Sequence, residues 1–200
     1  MACAGEFIDP PQKGTALPQE DVLDAYAEAL LDNAGIRDFG ALKIVVDCGN
    51  GMGGHVLPRI FEKVGSDPVR LYWELDGRFP NHEANPLEPA NLRDLQAAVV
   101  AERADVGLAF DGDADRIGAI DARGQIVWGD QILALLARDV LTRVPGARIL
   151  FDVKCSQGLR EDIEAHGGRL DVRSPPGQGA EFSIWLPEQP ARGTSDEPQI

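Results

Sequence analysis

Short apolar runs rich in β-branched residues alternate with stretches of helical spacing along most of this chain. The apolar runs lie at 42–46, 69–73, 105–110, 117–120 and 149–153. Runs of this length bounded by turn formers are typical of buried strands. Strands that alternate with helices pack as one sheet with helices on its faces, and the turn at 122–124 adds a hairpin that ends in a short edge strand at 126–128. Asp130 is expected to cap the apolar helix that follows. We therefore expect an α/β fold, a three-layer α/β/α sandwich with a mixed sheet.

The acidic composition argues against two classes of partner. The formal net charge is -14, and a nucleic acid or an anionic membrane would repel such a surface. No run approaches the roughly 18 apolar residues of a membrane span. Cys3, Cys48 and Cys155 form no CxxC pair, which favours a reducing cytoplasm. A phosphorylated ligand would need a local cation, such as an arginine or a metal ion.

Three aspartates crowd one short loop directly after an apolar run. Asp111, Asp113 and Asp115 stand at i, i+2 and i+4 in the segment DGDADR. Such a cluster is tolerated around a cation, and oxygen ligands select Mg²⁺ or Ca²⁺. An EF-hand is excluded, because Arg116 and Ala122 occupy the positions where that loop needs Gly and Glu. The alternative interpretation is a solvated acidic turn.

A glycine-rich turn follows the first apolar run. Gly49, Gly51 and Gly54 form GxGxxG between a predicted strand and a predicted helix, and Glu74 follows 20 residues after Gly54. This pattern is the dinucleotide fingerprint of nicotinamide-dependent oxidoreductases. A lone match is weak evidence, and a tight turn that needs positive φ explains the glycines equally well.

Several motifs taken together resemble one enzyme family. They are VVDCGNGMGG at 45–54, DGRFPNHEANP at 76–86, ANLRDL at 90–95, DGDADR at 111–116 with the IGAID strand and IVWGDQILALLARD helix after it, and ILFDVKCS at 149–156. In this order they resemble the α-D-phosphohexomutases, the phosphomannomutase/phosphoglucomutase type, over about 18–168. The glycine turn occurs in that family without a nicotinamide cofactor.

The resemblance implies a metal site and a reaction. Asp111, Asp113 and Asp115 would ligate Mg²⁺, with a phosphoserine from another domain completing the shell. Arg116 would be a catalytic residue that lies beside the phosphate and offsets its charge. The family moves a phosphoryl group between O1 and O6 of a hexose phosphate, of glucose or mannose, with the metal acting as a Lewis acid.

Three further residues are candidates for the substrate cleft. Asn81 and His82 lie in a Pro-bounded loop that faces the cleft in the family, and Lys154 follows the last apolar run. A role outside substrate binding is also open for two of them: His82 could fix its loop, and Lys154 could simply be solvated. His55 and His166 are interpreted as structural.

Two family motifs do not occur in this sequence. None of the serines lies in a context like TASHNP, where the family carries its phosphoserine, and no segment resembles the sugar-selecting GExSGH. We therefore expect a phosphohexomutase fragment that is inactive as a lone chain. The alternatives are a non-catalytic module that binds Mg²⁺ or a phosphosugar, or docks on another protein, and the oxidoreductase.

The chain divides into five predicted segments. They are a loose leader at 1–18, a metal-binding domain at 19–146, the first strand and helix of a truncated next domain at 147–168, a β-hairpin at 169–187 and a disordered tail at 188–200. Residues 164–187 resemble the end of sensor histidine kinase ATP-binding domains, which suggests a fusion, a recombined gene or an assembly artefact. The alternative is a natural hairpin that converges on the same pattern. An exposed sheet edge in the truncated domain would favour self-association.

Overall fold

The computed structural model of this protein describes residues 14–151, 154–168, 172–173 and 181–182. Five strands form one sheet in the order β2-β1-β3-β4-β5. The strands are β1 (Ile44–Asp47), β2 (Val69–Leu71), β3 (Val106–Phe110), β4 (Ile117–Asp121) and β5 (Ile126–Val127). β1 pairs in parallel with β2 and β3, whereas β3, β4 and β5 pair antiparallel. The predicted mixed sheet is confirmed.

The described part of the chain contains five α-helices beside the sheet. They are α1 (Val22–Ala34), α2 (Gly53–Lys63), α3 (Arg93–Glu102), α4 (Gly129–Arg143) and α5 (Gln157–Ala165). A 3-10 turn at Pro89–Leu92 leads into α3, and proline suits its first position, where an N–H would have no partner within the helix. Gly35 ends α1 at a φ of 66°, a left-handed conformation that glycine adopts without steric cost.

Helices cover both faces of the sheet. Val45 points towards α3 and packs with Leu95 and Val99. Its neighbours Ile44 and Val46 point to the opposite face and pack with Phe61 of α2. Successive strand residues face opposite sides, so the complete burial of β1 means that both sides are covered. The three-layer arrangement predicted from the sequence is confirmed.

Helices α4 and α5 form a separate cluster. Their buried residues Ala137, Leu141, Leu159 and Ile163 pack on one another. On the surface, Nε of Arg138 donates to both carboxylate oxygens of Asp162, at 3.1 and 3.0 Å. This second cluster is built from residues that follow the sheet in sequence.

Two sequence predictions in this region are wrong. The run at 149–153 was expected to be a strand, but residues 149–151 form none. An apolar run becomes a strand only where a neighbouring strand accepts and donates its backbone hydrogen bonds. Residues 152–153 lie outside the described residues. Asp130 is not the cap of α4, since that position is Trp128, whose N–H donates to Oε1 of Gln131 at 2.9 Å. Asp130 instead accepts the N–H of Ser156, which precedes α5, at 3.1 Å.

The C-terminal hairpin is described in part. Strands β6 (Val172–Arg173) and β7 (Glu181–Phe182) pair antiparallel, as predicted. The predicted turn between them, the tail at 188–200 and most of the leader lie outside the described residues. None of the helices in the described part of the chain combines the length and the apolar character that a bilayer span needs.

Candidate metal-binding site

The aspartate loop, residues 111–116, connects the antiparallel strands β3 and β4. Its two ends are closed by the N–H of Asp111, which donates to the carbonyl of Arg116 at 3.3 Å. Inside the loop, the N–H of Ala114 donates to the carbonyl of Asp111 at 3.1 Å. Ala114 has a φ of 64°, so the chain reverses sharply there. This reversal turns alternate side chains of the loop towards one point.

Three carboxylates converge in the loop. Asp111, Asp113 and Asp115 each offer an oxygen atom, and these atoms lie within 4.8 Å of one another. Repulsion from Asp113, followed by the hydrogen bond and charge of Asp111, raises the pKa of Asp115. Convergent carboxylates that repel one another have the donor chemistry and spacing that suit a hard divalent cation.

The three aspartates differ in environment. The Asp111 side chain is 1% exposed, whereas that of Asp115 is 71% exposed. Asp111 accepts the N–H of Arg116 at 2.9 Å and Nε of the same residue at 2.8 Å. Burial alone would raise the pKa of Asp111, but these hydrogen bonds outweigh it and hold the pKa below its usual value. Asp111 therefore stays ionised and fixes the loop, while Asp113 and Asp115 reach towards solvent.

Arg116 contacts two of the aspartates of its loop. Its Nη2 contacts Oδ2 of Asp111 at 2.8 Å, and its Nε lies 3.5 Å from Oδ1 of Asp115. The side chain is half exposed, so part of the guanidinium faces solvent. The arrangement places a positive charge beside the carboxylate cluster, where a phosphate could meet both a cation and hydrogen-bond donors.

Two of the three candidate cleft residues, Asn81 and His82, contact residues at and beside the glycine turn after β1. Asn81 donates from Nδ2 to Oδ1 of Asn50 at 2.8 Å. His82 places Nε2 3.0 Å from Oδ2 of Asp47. Both side chains therefore hold their own loop against the glycine turn, the structural alternative considered for His82. Lys154 lies exposed in the turn before α5, and its role towards a substrate stays a prediction.

The glycine turn, residues 48–54, packs against protein backbone on two sides. A Cβ on Gly51 would lie 2.7 Å from the carbonyl oxygen of Gly112, and one on Gly54 would lie 1.9 Å from that of Trp73. The glycines thus permit close backbone approach. In a dinucleotide site, the same absence of side chains would make room for a pyrophosphate.

The amide donors of the glycine turn already have acceptors within the protein. The N–H of Gly49 donates to Asp47, that of Asn50 to the Tyr72 carbonyl, and that of Met52 to the Gly112 carbonyl. A pyrophosphate would need these donors. The geometry therefore argues against the oxidoreductase interpretation.

The site region matches a known family. The sequence profile described as phosphoglucomutase/phosphomannomutase, alpha/beta/alpha domain II, matches residues 24–124, which include the glycine turn and the aspartate loop. This chain belongs to the phosphoglucomutase/phosphomannomutase family. The resemblance drawn from the sequence motifs is confirmed.

Members of the phosphoglucomutase/phosphomannomutase family resemble the chain over most of its length. The phosphomannomutase/phosphoglucomutase of Pseudomonas aeruginosa PAO1 is 46% identical over 154 residues, which are 77% of this chain and 33% of that protein. The phosphoglucomutase of Neisseria meningitidis serogroup A is 46% identical over 162 residues, 81% of this chain and 35% of that protein. The chain thus spans about a third of the length of these relatives.

A solved structure from the same family shares the fold. The crystal structure of a phosphoglucomutase/phosphomannomutase family protein from Burkholderia thailandensis superposes with a TM-score of 0.69 at 43% identity. The superposition covers 74% of this chain and 32% of that protein. Both sequence and fold therefore place the chain in the family.

Sequence reasoning missed two residues that support the surroundings of the aspartate loop in this phosphoglucomutase/phosphomannomutase family member. Asp47 and Asn50 are buried polar residues at the carboxyl end of β1. β1 and β3 are parallel, with Asp47 opposite Ala109, so Asp47 ends its strand at the same sheet edge as Asp111. A signal was present, because a carboxylate that ends an apolar strand lies where α/β folds place their sites.

Proposed function

We propose that this chain supplies the Mg²⁺-binding part of a phosphohexomutase active site that acts on hexose phosphates. The observation that carries the proposal is the convergence of three carboxylates within 4.8 Å on one loop, with Arg116 beside them. Family membership supports the reaction class, because the relatives are phosphomannomutases and phosphoglucomutases.

The charged residues of the aspartate loop have two kinds of task in this proposal. Asp111, Asp113 and Asp115 hold Mg²⁺, which when bound supplies a Lewis acid for the phosphoryl group in transfer. Asp111 also orients Arg116 through their paired hydrogen bonds. The exposed part of the Arg116 guanidinium donates to phosphate oxygens and offsets their negative charge. Asn81, His82 and Lys154 are proposed to border the same cleft.

The lone chain is proposed to be inactive on glucose and mannose phosphates. It spans about a third of the length of its relatives, and the TASHNP-like loop with the phosphoryl-carrying serine does not occur in the sequence. A coupled assay on glucose 1-phosphate with Mg²⁺ should give no turnover above background. Turnover by the purified chain would overturn this part of the proposal.

Metal binding is tested by calorimetric titration of the full chain with Mg²⁺. Asp113→Asn removes one ligand charge and should weaken binding by about tenfold or more, because affinity follows the charge of the ligand set. Asp67→Asn is the matched control, since Asp67 precedes the parallel strand β2 at the opposite edge of the sheet. It should bind like the unaltered chain. Equal affinities in all three proteins, or no binding at millimolar Mg²⁺, would contradict the proposal.

A non-catalytic module that holds Mg²⁺ or a phosphosugar is the second candidate, favoured by the partial length of the chain. Titration with glucose 1-phosphate in the presence of Mg²⁺ separates the two. A phosphosugar-binding module should bind it saturably, whereas a fragment without the sugar-selecting GExSGH-like segment should not. A cytoplasmic location and self-association through residues 147–168 remain proposals. Sedimentation velocity across a concentration series tests the second of these.

A further inference from the structure

The cleft loop, residues 76–86, contacts the aspartate loop at two places and the start of β4 at a third. The Phe79 ring lies 3.6 Å from the position that a Cβ on Gly112 would occupy. Oδ1 of Asn85 lies 3.5 Å from Nη1 of Arg116. Pro86 comes within 3.0 Å of where a Cβ on Gly118, just past the loop, would lie. The cleft loop is therefore one wall of the aspartate loop.

The glycine turn is the second wall. The N–H of Met52 donates to the carbonyl of Gly112 at 2.9 Å, and Gly51 leaves no space between the two backbones. The aspartate loop is thus held between two neighbouring segments, and the position of each segment fixes part of its backbone.

His82 joins these two walls. Its Nε2 lies 3.0 Å from Oδ2 of Asp47, the last residue of β1, which directly precedes the glycine turn. Its Nδ1 lies 2.9 Å from the carbonyl oxygen of Glu83, in the cleft loop. Both distances are within hydrogen-bond range, so each ring nitrogen has an oxygen atom as its partner. The imidazole is therefore engaged at both nitrogens.

Asp47 depends on this histidine. The Asp47 side chain is 1% exposed, and its other oxygen accepts the N–H of Gly49 at 2.8 Å. Burial raises the pKa of Asp47, although the hydrogen bonds from Gly49 and His82 oppose that effect. A buried carboxylate that loses one of two partners is costly, so the turn around it would rearrange. The ring of Tyr72 packs edge-on against the imidazole at 5.3 Å and confines it.

We infer that His82 is a positioning residue for the aspartate loop, which it acts on through Asp47 and the glycine turn rather than by touching the substrate. The inference rests on the proposed Mg²⁺ site and deepens it. Removing the imidazole frees Asp47 and loosens both walls, so the three carboxylates converge less well. Outer residues that orient metal ligands affect affinity in this way.

The experiment compares His82→Ala with His55→Ala in the full chain. His55 is an exposed histidine on α2 and serves as the matched control. His82→Ala should weaken Mg²⁺ binding by about tenfold, the lower end of the effect of outer residues at metal sites. His82→Gln can still donate one hydrogen bond to Asp47 and should recover part of the lost affinity. It also serves as the test variant if circular dichroism shows that the alanine variant does not fold.

A second measurement separates positioning from a general loss of stability. Amide hydrogen exchange at Met52 reports its bond to Gly112, whereas exchange at Leu108 reports the centre of β3. His82→Ala should speed exchange at Met52 and leave Leu108 unchanged. Affinity within twofold of the unaltered chain, or equal acceleration at both amides, overturns the inference. If the unaltered chain binds no Mg²⁺, the proposed function itself fails, and exchange at Met52 still decides whether His82 holds the loop.

Discussion

The peptide N–H of Met52 and the carbonyl oxygen of Gly112 are joined by a 2.9 Å hydrogen bond. This bond links the turn after β1 to the loop after β3, two segments about 60 residues apart in sequence. Because the strands are parallel neighbours, their carboxyl ends bring the two backbones together at one sheet edge. The geometry of the aspartate loop is therefore a property of the sheet as well as of its own residues.

Gly51→Ala should separate these two backbones. The added Cβ would lie 2.7 Å from the Gly112 oxygen, and such overpacking costs about 1–3 kcal/mol of unfolding free energy. Mg²⁺ affinity should fall as well, since the aspartate loop must shift. Urea unfolding and calorimetric titration measure the two effects.

Gly129→Ala is the control for this glycine substitution. A Cβ on Gly129, at the start of α4, meets nothing within 4 Å, and alanine is the better helix former. The free energy of unfolding of Gly129→Ala should equal that of the unaltered chain or be slightly higher. Equal losses in both glycine variants would show that the close approach at Gly51 is not what matters.

Asp111→Asn and Asp113→Asn should differ in stability although both weaken Mg²⁺ binding. Asp111 is buried and accepts two hydrogen bonds from Arg116, so losing its charge should cost about 1.5–3 kcal/mol of unfolding free energy. Asp113 is exposed, and its variant should stay within about 0.5 kcal/mol of the unaltered chain. Urea unfolding without metal measures the difference. Similar stabilities for the two variants would contradict the anchoring role of Asp111.

Leu159→Ala should unfold the α4–α5 cluster without disturbing the metal loop. Leu159 is buried there, and leucine-to-alanine changes in cores cost about 2–5 kcal/mol. Amide exchange should accelerate in α4 and α5 and stay unchanged in β1 and β3. Leu135→Ala, at an exposed position of α4, is the control and should change neither. Faster exchange throughout the sheet would show that the two clusters unfold as one.

Glu28→Gln should lower the free energy of unfolding at neutral pH, and this loss should disappear in acid. Hydrogen bonds from Lys63 and Arg37, at 2.8 Å each, lower the pKa of Glu28 to about 2 from 4.5. A carboxylate with a lowered folded-state pKa stabilises the fold above its unfolded-state pKa, and the effect fades as pH falls from 4.5 towards 2. The stability difference between the variant and the unaltered chain should therefore be full at pH 7 and narrow below 4.5. A stability difference that stays constant across that pH range would contradict the pairing of Glu28 with Lys63 and Arg37. High salt should reduce the stability difference at pH 7.

The sequence predicted which segments form the strands of the sheet, but it also predicted a strand that does not form. Apolar runs and turn formers located β1 to β5, because burial and turn chemistry are local properties. The run at 149–153 looked the same, yet 149–151 form no strand. A ladder needs a neighbour, and a single run does not reveal whether it has one. Asp130 resembled a cap for the same reason, since its partner Ser156 lies 26 residues away.

The sequence also identified the members of the aspartate loop but not their unequal roles. Spacing treats Asp111, Asp113 and Asp115 alike, whereas the register of β3 buries only the first. The supports at Asp47 and Asn50 were missed because they act through contacts with distant segments, including His82 and Asn81. Such contacts depend on strand order, which local patterns do not encode.

The hairpin between β3 and β4 bears on how the site assembles during folding. The carboxylates and Arg116 lie on one short connection between consecutive strands. Closing this short loop therefore costs little conformational entropy. The supporting turn after β1 arrives from far along the sequence, and such contacts form more slowly. We therefore expect a local event to gather the aspartates early, and their final alignment to wait until β1 docks beside β3.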